Sequence, residues 1–206
     1  ESVMNETTIA YPGEEGFFGN LPWGKLMMWV FLASDVMGFA SLIAGYFYLR
    51  MLSVDWPDSG ELLNVMLTSI NTVFLLSSSF TMAWAVDAIK RNDQRAMLRQ
   101  LGITIFLGTL FLLIQGYEYF ELFDLFSETF DERPFSGHLF ASTFFLLTGF
   151  HAFHVFVGLV YLGCISVAAA RGRYSAENYL ALDIAGLFWH FVDWVWVAVF
   201  LSLYII

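Results

Sequence analysis

Six ionisable side chains interrupt long apolar segments of this sequence and are the first candidates for chemistry: Asp35, Glu118, His151, His154, His190 and Asp193. A charged group inside a membrane is costly unless it faces protein or water, so each of these residues requires a partner or a function. Buried carboxyl groups can hold or transfer protons, and imidazoles can do the same or bind metals. We therefore predict that the three carboxyl groups are buried and proton-related, with a structural tie between helices as the alternative for Asp35.

The depth of these residues along their segments suggests which of them meet. Asp35 lies about 15 Å above the inner end of the first segment, while Asp193 and His190 lie about 13 Å and about 9 Å above that of the last. His190 and Asp193 share a helical face because they are three residues apart. We therefore expect both to approach Asp35 in one buried cluster. Glu118, near the outer end of its segment, is interpreted as a carboxylate held by interfacial partners, with proton handling as the alternative.

His151 and His154 lie on one helical face, where two imidazoles could share a metal ion or bind haem. A haem-binding bundle needs a facing histidine at the same depth, and neither His138 nor His190 supplies one. Cys164 is the only cysteine, so a thiolate metal site is not expected. We interpret His151, His154 and His190 as structural hydrogen-bonding residues and predict no metal site, with ligation by the first two as the alternative.

Five apolar segments must position these residues. The sequence is 58% hydrophobic and 14% charged, against roughly 45–50% and about 25% for a soluble domain, so a soluble domain is excluded. Each segment is long enough to cross a bilayer; they lie at about 25–50, 62–88, 99–121, 138–168 and 184–206. We predict an all-α integral-membrane bundle of five transmembrane helices over residues 24–206, after a cytoplasmic N-terminal tail at residues 1–23.

Basic residues in the short connections predict the orientation of the bundle. They are concentrated in the second and fourth connections, at Lys90, Arg91, Arg95, Arg99, Arg171 and Arg173. Cytoplasmic loops carry an excess of lysine and arginine, so these two connections are expected inside, the N-terminus in the cytoplasm and the C-terminus in the periplasm. The net charge of −10 argues against a nucleic-acid partner.

Seven sequence blocks run in order across the five segments: Ala33–Phe39, Gly45–Arg50, Leu75–Phe80, Gln115–Tyr119, Ser142–Phe145, Thr148–Val155 and Phe188–Trp196. The last contains Trp-His-Phe-Val-Asp-Trp-Val-Trp and is the most specific. Together the blocks resemble subunit III of the haem-copper terminal oxidases, in the five-helix bacterial form that resides in the inner (plasma) membrane.

The resemblance implies a non-catalytic subunit of a proton-pumping O2 reductase of aerobic respiration, which stabilises subunit I, holds lipid and supports proton uptake. It implies no cofactor in this chain; haem and copper belong to partner subunits. The implied partners are subunit I, by direct helix packing, subunit II in the same complex, and phospholipid. In this family a buried carboxylate, usually glutamate, occupies the position of Asp35, and a basic residue in the loop of Arg171 and Arg173 contacts a lipid headgroup.

The electron donor and two other functions stay open at this point. The block Gln115–Tyr119 favours a cytochrome c oxidase, while Asp35 and Leu187–His190 resemble quinol oxidases. A stand-alone proton channel or transporter would use Asp35, His190 and Asp193 as a relay. An accessory subunit of a nitric-oxide reductase is the other alternative.

Overall fold

The computed structural model describes residues 22–53, 56–57, 63–128 and 135–206. Its long helices are α1 (Trp23–Leu52), α2 (Val65–Lys90), α3 (Gln94–Glu128), α4 (Phe135–Ala170) and α5 (Leu180–Phe200), and Leu201–Ile205 continue α5 as a π-helical turn. All five are long and apolar enough to cross a membrane. The predicted all-α bundle of five membrane-spanning helices is therefore confirmed. The predicted tail, residues 1–23, lies almost entirely outside the described residues.

A tight turn connects α2 to α3, and a longer connection, residues 171–179, joins α4 to α5. Asn92 has a φ of 60°, in the left-handed region that asparagine tolerates. Asp93 then begins α3 by accepting a hydrogen bond of 2.9 Å from the backbone N–H of Ala96, as N-terminal capping residues do. Gly172, with a φ of 72°, follows the end of α4, where glycine pays no steric penalty. The two connections make each connected pair of helices antiparallel neighbours.

Helix α5 lies at the centre of the bundle and packs against α1, α2 and α4, while α3 packs between α2 and α4. Within its most apolar stretch 44% of α5 is buried, against 11% of α1. Helix α1 therefore lies at the edge of the bundle, in contact mainly with α5 and α4.

Polar contacts join α1 to the rest of the bundle at both of its ends. At its start, Lys25 Nζ lies 2.7 Å from Asp183 Oδ2 in the first turn of α5. At its other end, Arg50 Nη2 donates a hydrogen bond of 2.6 Å to the carbonyl oxygen of Ile206. These contacts fix the position of α1 along the membrane normal, although little of its surface is buried.

Two tryptophans of α5 fix this helix against α2. Trp189 and Trp196 are both fully buried. The indole N–H of Trp189 donates to Ser78 Oγ, and that of Trp196 donates to Thr72 Oγ, each over 2.9 Å. Because a buried indole N–H needs a partner, these two hydrogen bonds determine how far α5 is shifted along α2.

The ring of Trp189 occupies a narrow space between two glycines. A Cβ atom at Gly108 on α3 would lie 2.7 Å from this ring, and one at Gly158 on α4 would lie 3.0 Å from it. Both distances are shorter than ordinary carbon–carbon contacts. The two glycines therefore allow α3 and α4 to approach the central helix closely, as small residues do between membrane helices.

Candidate functional site: the buried carboxyl groups and their partners

Asp35 on α1 lies against His154 on α4. Asp35 Oδ2 is 3.0 Å from His154 Nε2, and the two side chains are 14% and 9% exposed. The approach is off the hydrogen-bond direction, so it is an ion-pair contact rather than an aligned hydrogen bond. Since Asp35 is about 18 Å along α1 from Trp23, this contact joins the edge helix to the bundle near the middle of the membrane.

The backbone determines where one proton of this pair lies. His154 Nδ1 is 2.7 Å from the carbonyl oxygen of Phe150, and a carbonyl oxygen only accepts, so Nδ1 carries hydrogen and donates it. A neutral imidazole then has no proton on Nε2, the atom that faces Asp35. Two bare acceptors at 3.0 Å would repel each other. The contact is favourable when the imidazole also carries a proton on Nε2, which would make it an ion pair with the Asp35 carboxylate.

The surroundings of His154 are aromatic and apolar. The ring centroids of Phe39 and Phe150 lie 5.3 Å and 4.6 Å from that of His154. A cavity of about 230 Å³ between α1, α4 and α5 is lined by His154 together with Phe31 and Phe188, among other apolar side chains. In such low-dielectric surroundings an unpaired charge is costly, which favours the contact between Asp35 and His154.

Glu118 on α3 is held by three neutral donors. Thr68 on α2 donates to Oε1 over 3.0 Å, while Gln115 and Tyr204 donate to Oε2 over 2.9 Å and 3.0 Å. The carboxyl group is 4% exposed. Tyr204 lies in the π-helical turn at the end of the chain, so Glu118 ties this turn to α2 and α3. The arrangement accounts for a buried carboxylate without a cation, since three donors satisfy it.

His190 and Asp193 lie together on α5, but their neighbour is α2. His190 Nδ1 forms a hydrogen bond of 2.6 Å with Ser79 Oγ, and all three side chains line one groove. Within the described part of the chain, no hydrogen bond or ion pair links Asp35 to either residue. The expected cluster of Asp35 with His190 and Asp193 is thus replaced by two pairs, in which Asp35 meets His154 and His190 meets Ser79. Asp35 was expected at a depth similar to that of His190 and Asp193, but it does not contact them, because α1 places it against α4.

His151 is fully buried among aromatic rings. Its ring centroid lies 4.8 Å from that of Trp196 and 5.9 Å from that of Phe111. Neither ring nitrogen of His151 has a hydrogen-bond partner among the described residues. Of the three histidines expected to form structural hydrogen bonds, His154 and His190 do so and His151 does not. No group of three or more potential metal-ligating side chains occurs in the described ranges.

Arg171 and Arg173, which follow α4, border a cavity of about 440 Å³ on the surface of that helix. Its other walls are formed by small and apolar residues of α4, including Val160, Cys164 and Val167. The cavity therefore combines an apolar surface with two guanidinium groups at one end.

The residues that sequence reasoning missed are the neutral partners of the ionisable groups. Gln115 could have been identified from the sequence as a partner of Glu118, because it precedes Glu118 by one helical turn. Thr68, Tyr204 and Ser79 come from other helices, and hydroxyl groups within apolar segments carry no signal that identifies their partners.

Taken together, these features define a polytopic membrane protein, a five-helix bundle in which Asp35 lies against His154 and neutral donors hold Glu118. The sequence matches the family model described as cytochrome c oxidase subunit III over residues 6–206. The chain therefore belongs to the cytochrome c oxidase subunit III family. It is a subunit III of a haem-copper oxidase, and the oxidase is of the cytochrome c oxidase type.

Curated relatives agree with this family. The chain is 37% identical over 178 residues to cytochrome c oxidase subunit 3 of Thermostichus vulcanus, with 86% of this chain and 84% of that one covered. It is 35% identical over 208 residues to the protein of the same name in Synechocystis sp., covering 100% and 84%. The human protein of that name is 31% identical over 186 residues, covering 86% and 67%. With bacterial relatives and five apolar helices, the chain is a multi-pass protein of a bacterial plasma membrane and belongs to an oxidase complex with other subunits.

Proposed function

We propose that this chain is the non-catalytic subunit of a proton-pumping O2 reductase, in which it packs directly against subunit I, stabilises it and supports its proton uptake. Subunit II belongs to the same complex, and haem and copper are carried by the partner subunits. Family membership supports this assignment. The observation that carries the proton-related part is the contact between Asp35 and His154.

The Asp35–His154 pair is suited to hold a proton beside a partner subunit. Both side chains retain a small exposed fraction, so the pair lies near the surface of the bundle rather than sealed within it. Helix α1 is largely unburied, which leaves its outer face available to another subunit. A proton held here can be exchanged with a neighbouring acceptor without a permanent charge in the apolar region.

Substitution of Asp35 in the complete oxidase tests this role. Asp35→Asn removes the ionisable carboxyl group from the pair and leaves His154 opposite a neutral amide. We expect unchanged haem spectra and initial O2 consumption, but a several-fold smaller number of turnovers before the enzyme inactivates. Asp87→Asn is the matched control, because Asp87 forms only an exposed pair with Arg91 one turn away, and it should behave like the parent. Loss of haem in Asp35→Asn, or as many turnovers before inactivation as in the control, would contradict the proposed role.

We further propose that the cavity beside Arg171 and Arg173 holds a phospholipid, whose phosphate pairs with the guanidinium groups while an acyl chain lies along α4. The apolar wall and the two cations at one end of the cavity support this. The double variant Arg171→Gln/Arg173→Gln should lose bound phospholipid in native mass spectrometry. Arg95→Gln/Arg99→Gln removes the same charge from α3 and should not; equal lipid loss from both would argue against a specific site.

The orientation of the bundle is proposed from the basic connections at its α2–α3 and α4–α5 turns, which we assign to the cytoplasm. A membrane-impermeant thiol reagent should label Asn92→Cys, in a Cys164→Ala background, only from the cytoplasmic side. Labelling from the periplasmic side would reverse the orientation.

A further inference from the structure

A groove of about 460 Å³ runs along the outside of the bundle between α2 and α5. Its polar residues are Ser79, His190 and Asp193, and the rest of its lining is apolar. On α5 it extends from His190 to Val197, about 10 Å or two helical turns. It is therefore an apolar groove with one small polar patch.

Asp193 lies at the floor of this groove with an incompletely paired carboxyl group. It lines the groove but is only 2% exposed. Neither oxygen has a hydrogen-bond partner among the described residues. Ser79 is close enough to interact with the carboxyl group, but its defined hydrogen bond goes to His190. A buried carboxyl group without full hydrogen bonding is destabilising, so a donor from outside the chain would stabilise it.

The depth of Asp193 limits which donors can reach it. It lies about 20 Å along α5 from Leu180, and half of the hydrocarbon thickness of a bilayer is about 15 Å. Phospholipid headgroups lie outside this layer, and acyl chains have no hydrogen-bond donor. A side chain on another transmembrane helix can supply a donor at mid-depth without breaking its own backbone hydrogen bonds.

The shape of the groove also fits a helix. Ser79 and Ala83 are small and lie one turn apart on α2, a spacing that permits close approach of a second helix. Phe80 and Trp194, both in the lining, are 69% and 75% exposed, so a partner here would cover two large aromatic side chains.

We propose that this groove binds a transmembrane helix of a partner subunit, and that this helix places a side-chain hydrogen-bond donor against the Asp193 carboxyl group. The proposal rests on the proposed function only in requiring that the chain has a partner subunit. It adds which face of the bundle is covered and which chemical group recognises the partner.

Photo-crosslinking in the intact oxidase complex tests the location. A benzophenone amino acid at Phe80 or at Trp194 should crosslink to a partner subunit, and peptide mass spectrometry should place the adduct in a transmembrane segment that carries a hydroxyl, amide, indole or amine side chain at mid-depth. The same amino acid at Phe153, which is 60% exposed on α4, is the control and should not label that segment. Adducts with lipid only, adducts with a second copy of this chain, or the absence of an adduct would overturn the proposal.

Two substitutions of Asp193 test the chemistry. Asp193→Leu removes the acceptor, and we expect the subunit to dissociate from the detergent-solubilised complex about tenfold faster or more, as for loss of a buried hydrogen bond to a charged group. Asp193→Asn retains an acceptor oxygen of the same reach but loses the charge, so its rate should lie between those of the parent and the leucine variant. Equal rates for the leucine variant and the parent would overturn the proposal.

Thermal unfolding of the isolated full-length chain separates a partner effect from misfolding. Without the partner, Asp193→Leu should unfold at the same temperature as the parent or at a higher one, because it removes an incompletely paired buried group. A lower unfolding temperature would show that the carboxyl group has its essential partner within the chain, and would overturn the proposal. If the chain co-purifies with subunit I but crosslinks from Phe153 instead, this inference fails while the proposed function stands.

Discussion

Substitution of Gly108 by alanine is the sharpest test of how the bundle is packed. The added Cβ would lie 2.7 Å and 2.8 Å from two ring atoms of Trp189 and 2.9 Å from a methyl group of Leu159. The ring cannot move away easily, because its indole N–H donates a hydrogen bond to Ser78. Its other edge is close to Gly158, where an added Cβ atom would lie only 3.0 Å from the ring. We therefore expect helices α3 and α5 to be forced apart.

The magnitude follows from two opposing effects. Overpacking of a well-packed core lowers the free energy of unfolding by about 1–3 kcal/mol, while replacement of a helical glycine by alanine raises it by up to about 1 kcal/mol. Gly102 on the same helix has no atom within 4 Å of an added Cβ, so Gly102→Ala contains only the second effect. The difference in unfolding free energy between the two variants should therefore be about 1–3 kcal/mol, with Gly108→Ala the less stable.

The assay is reversible unfolding of the purified chain in detergent micelles, followed by circular dichroism. The double variant Gly108→Ala/Trp189→Phe should be more stable than the sum of its two single variants predicts, because the smaller ring makes room for the added methyl group. If Gly108→Ala is as stable as Gly102→Ala, Trp189 is not confined as described and the account of this contact is wrong.

Three further substitutions test individual contacts by the same unfolding assay. Tyr204→Phe removes one of the three donors to Glu118 and should lower the unfolding free energy by about 1–3 kcal/mol; no loss would mean that the other two donors suffice. Ser78→Ala leaves the buried indole N–H of Trp189 without its acceptor and should also destabilise by about 1–3 kcal/mol, and a neutral result would require another acceptor for that N–H. Gly172→Ala, at a φ of 72°, should destabilise by about 1–2 kcal/mol, whereas an unchanged midpoint would show that the turn can relax.

The class of fold was predictable from the sequence because it depends on features that are local in the chain. Each helix is a long apolar segment that ends in charged or turn-forming residues, and such a segment satisfies its own backbone hydrogen bonds in a membrane. Seven sequence blocks in order indicated the family, and the block around Trp189 and Asp193 is the most specific of them. Neither inference required knowledge of which helices are neighbours.

The partners of the buried groups were less predictable, because they depend on which helices are neighbours. Position along a segment gives the depth of Asp35, but not the direction in which α1 presents it, and at similar depth both His154 and His190 were available. The structure selects His154 because α1 lies against α4 as well as α5. The contact between Tyr204 and Glu118 depends on a π-helical turn, and a widened helical turn has no signature in an apolar sequence.

The edge position of α1 has a consequence for the order of events during synthesis. Lys25 and its partner Asp183 are 158 residues apart in the chain, and at about 5–20 residues per second the ribosome needs about 8–30 s to make the second after the first. During that interval Lys25 is without Asp183, and Asp35 is without His154 until 119 residues have followed it. Docking of α1 is thus a late step in the maturation of the nascent chain, and the rate of translation through α4 and α5 determines how long a membrane protease can find α1 without these two contacts.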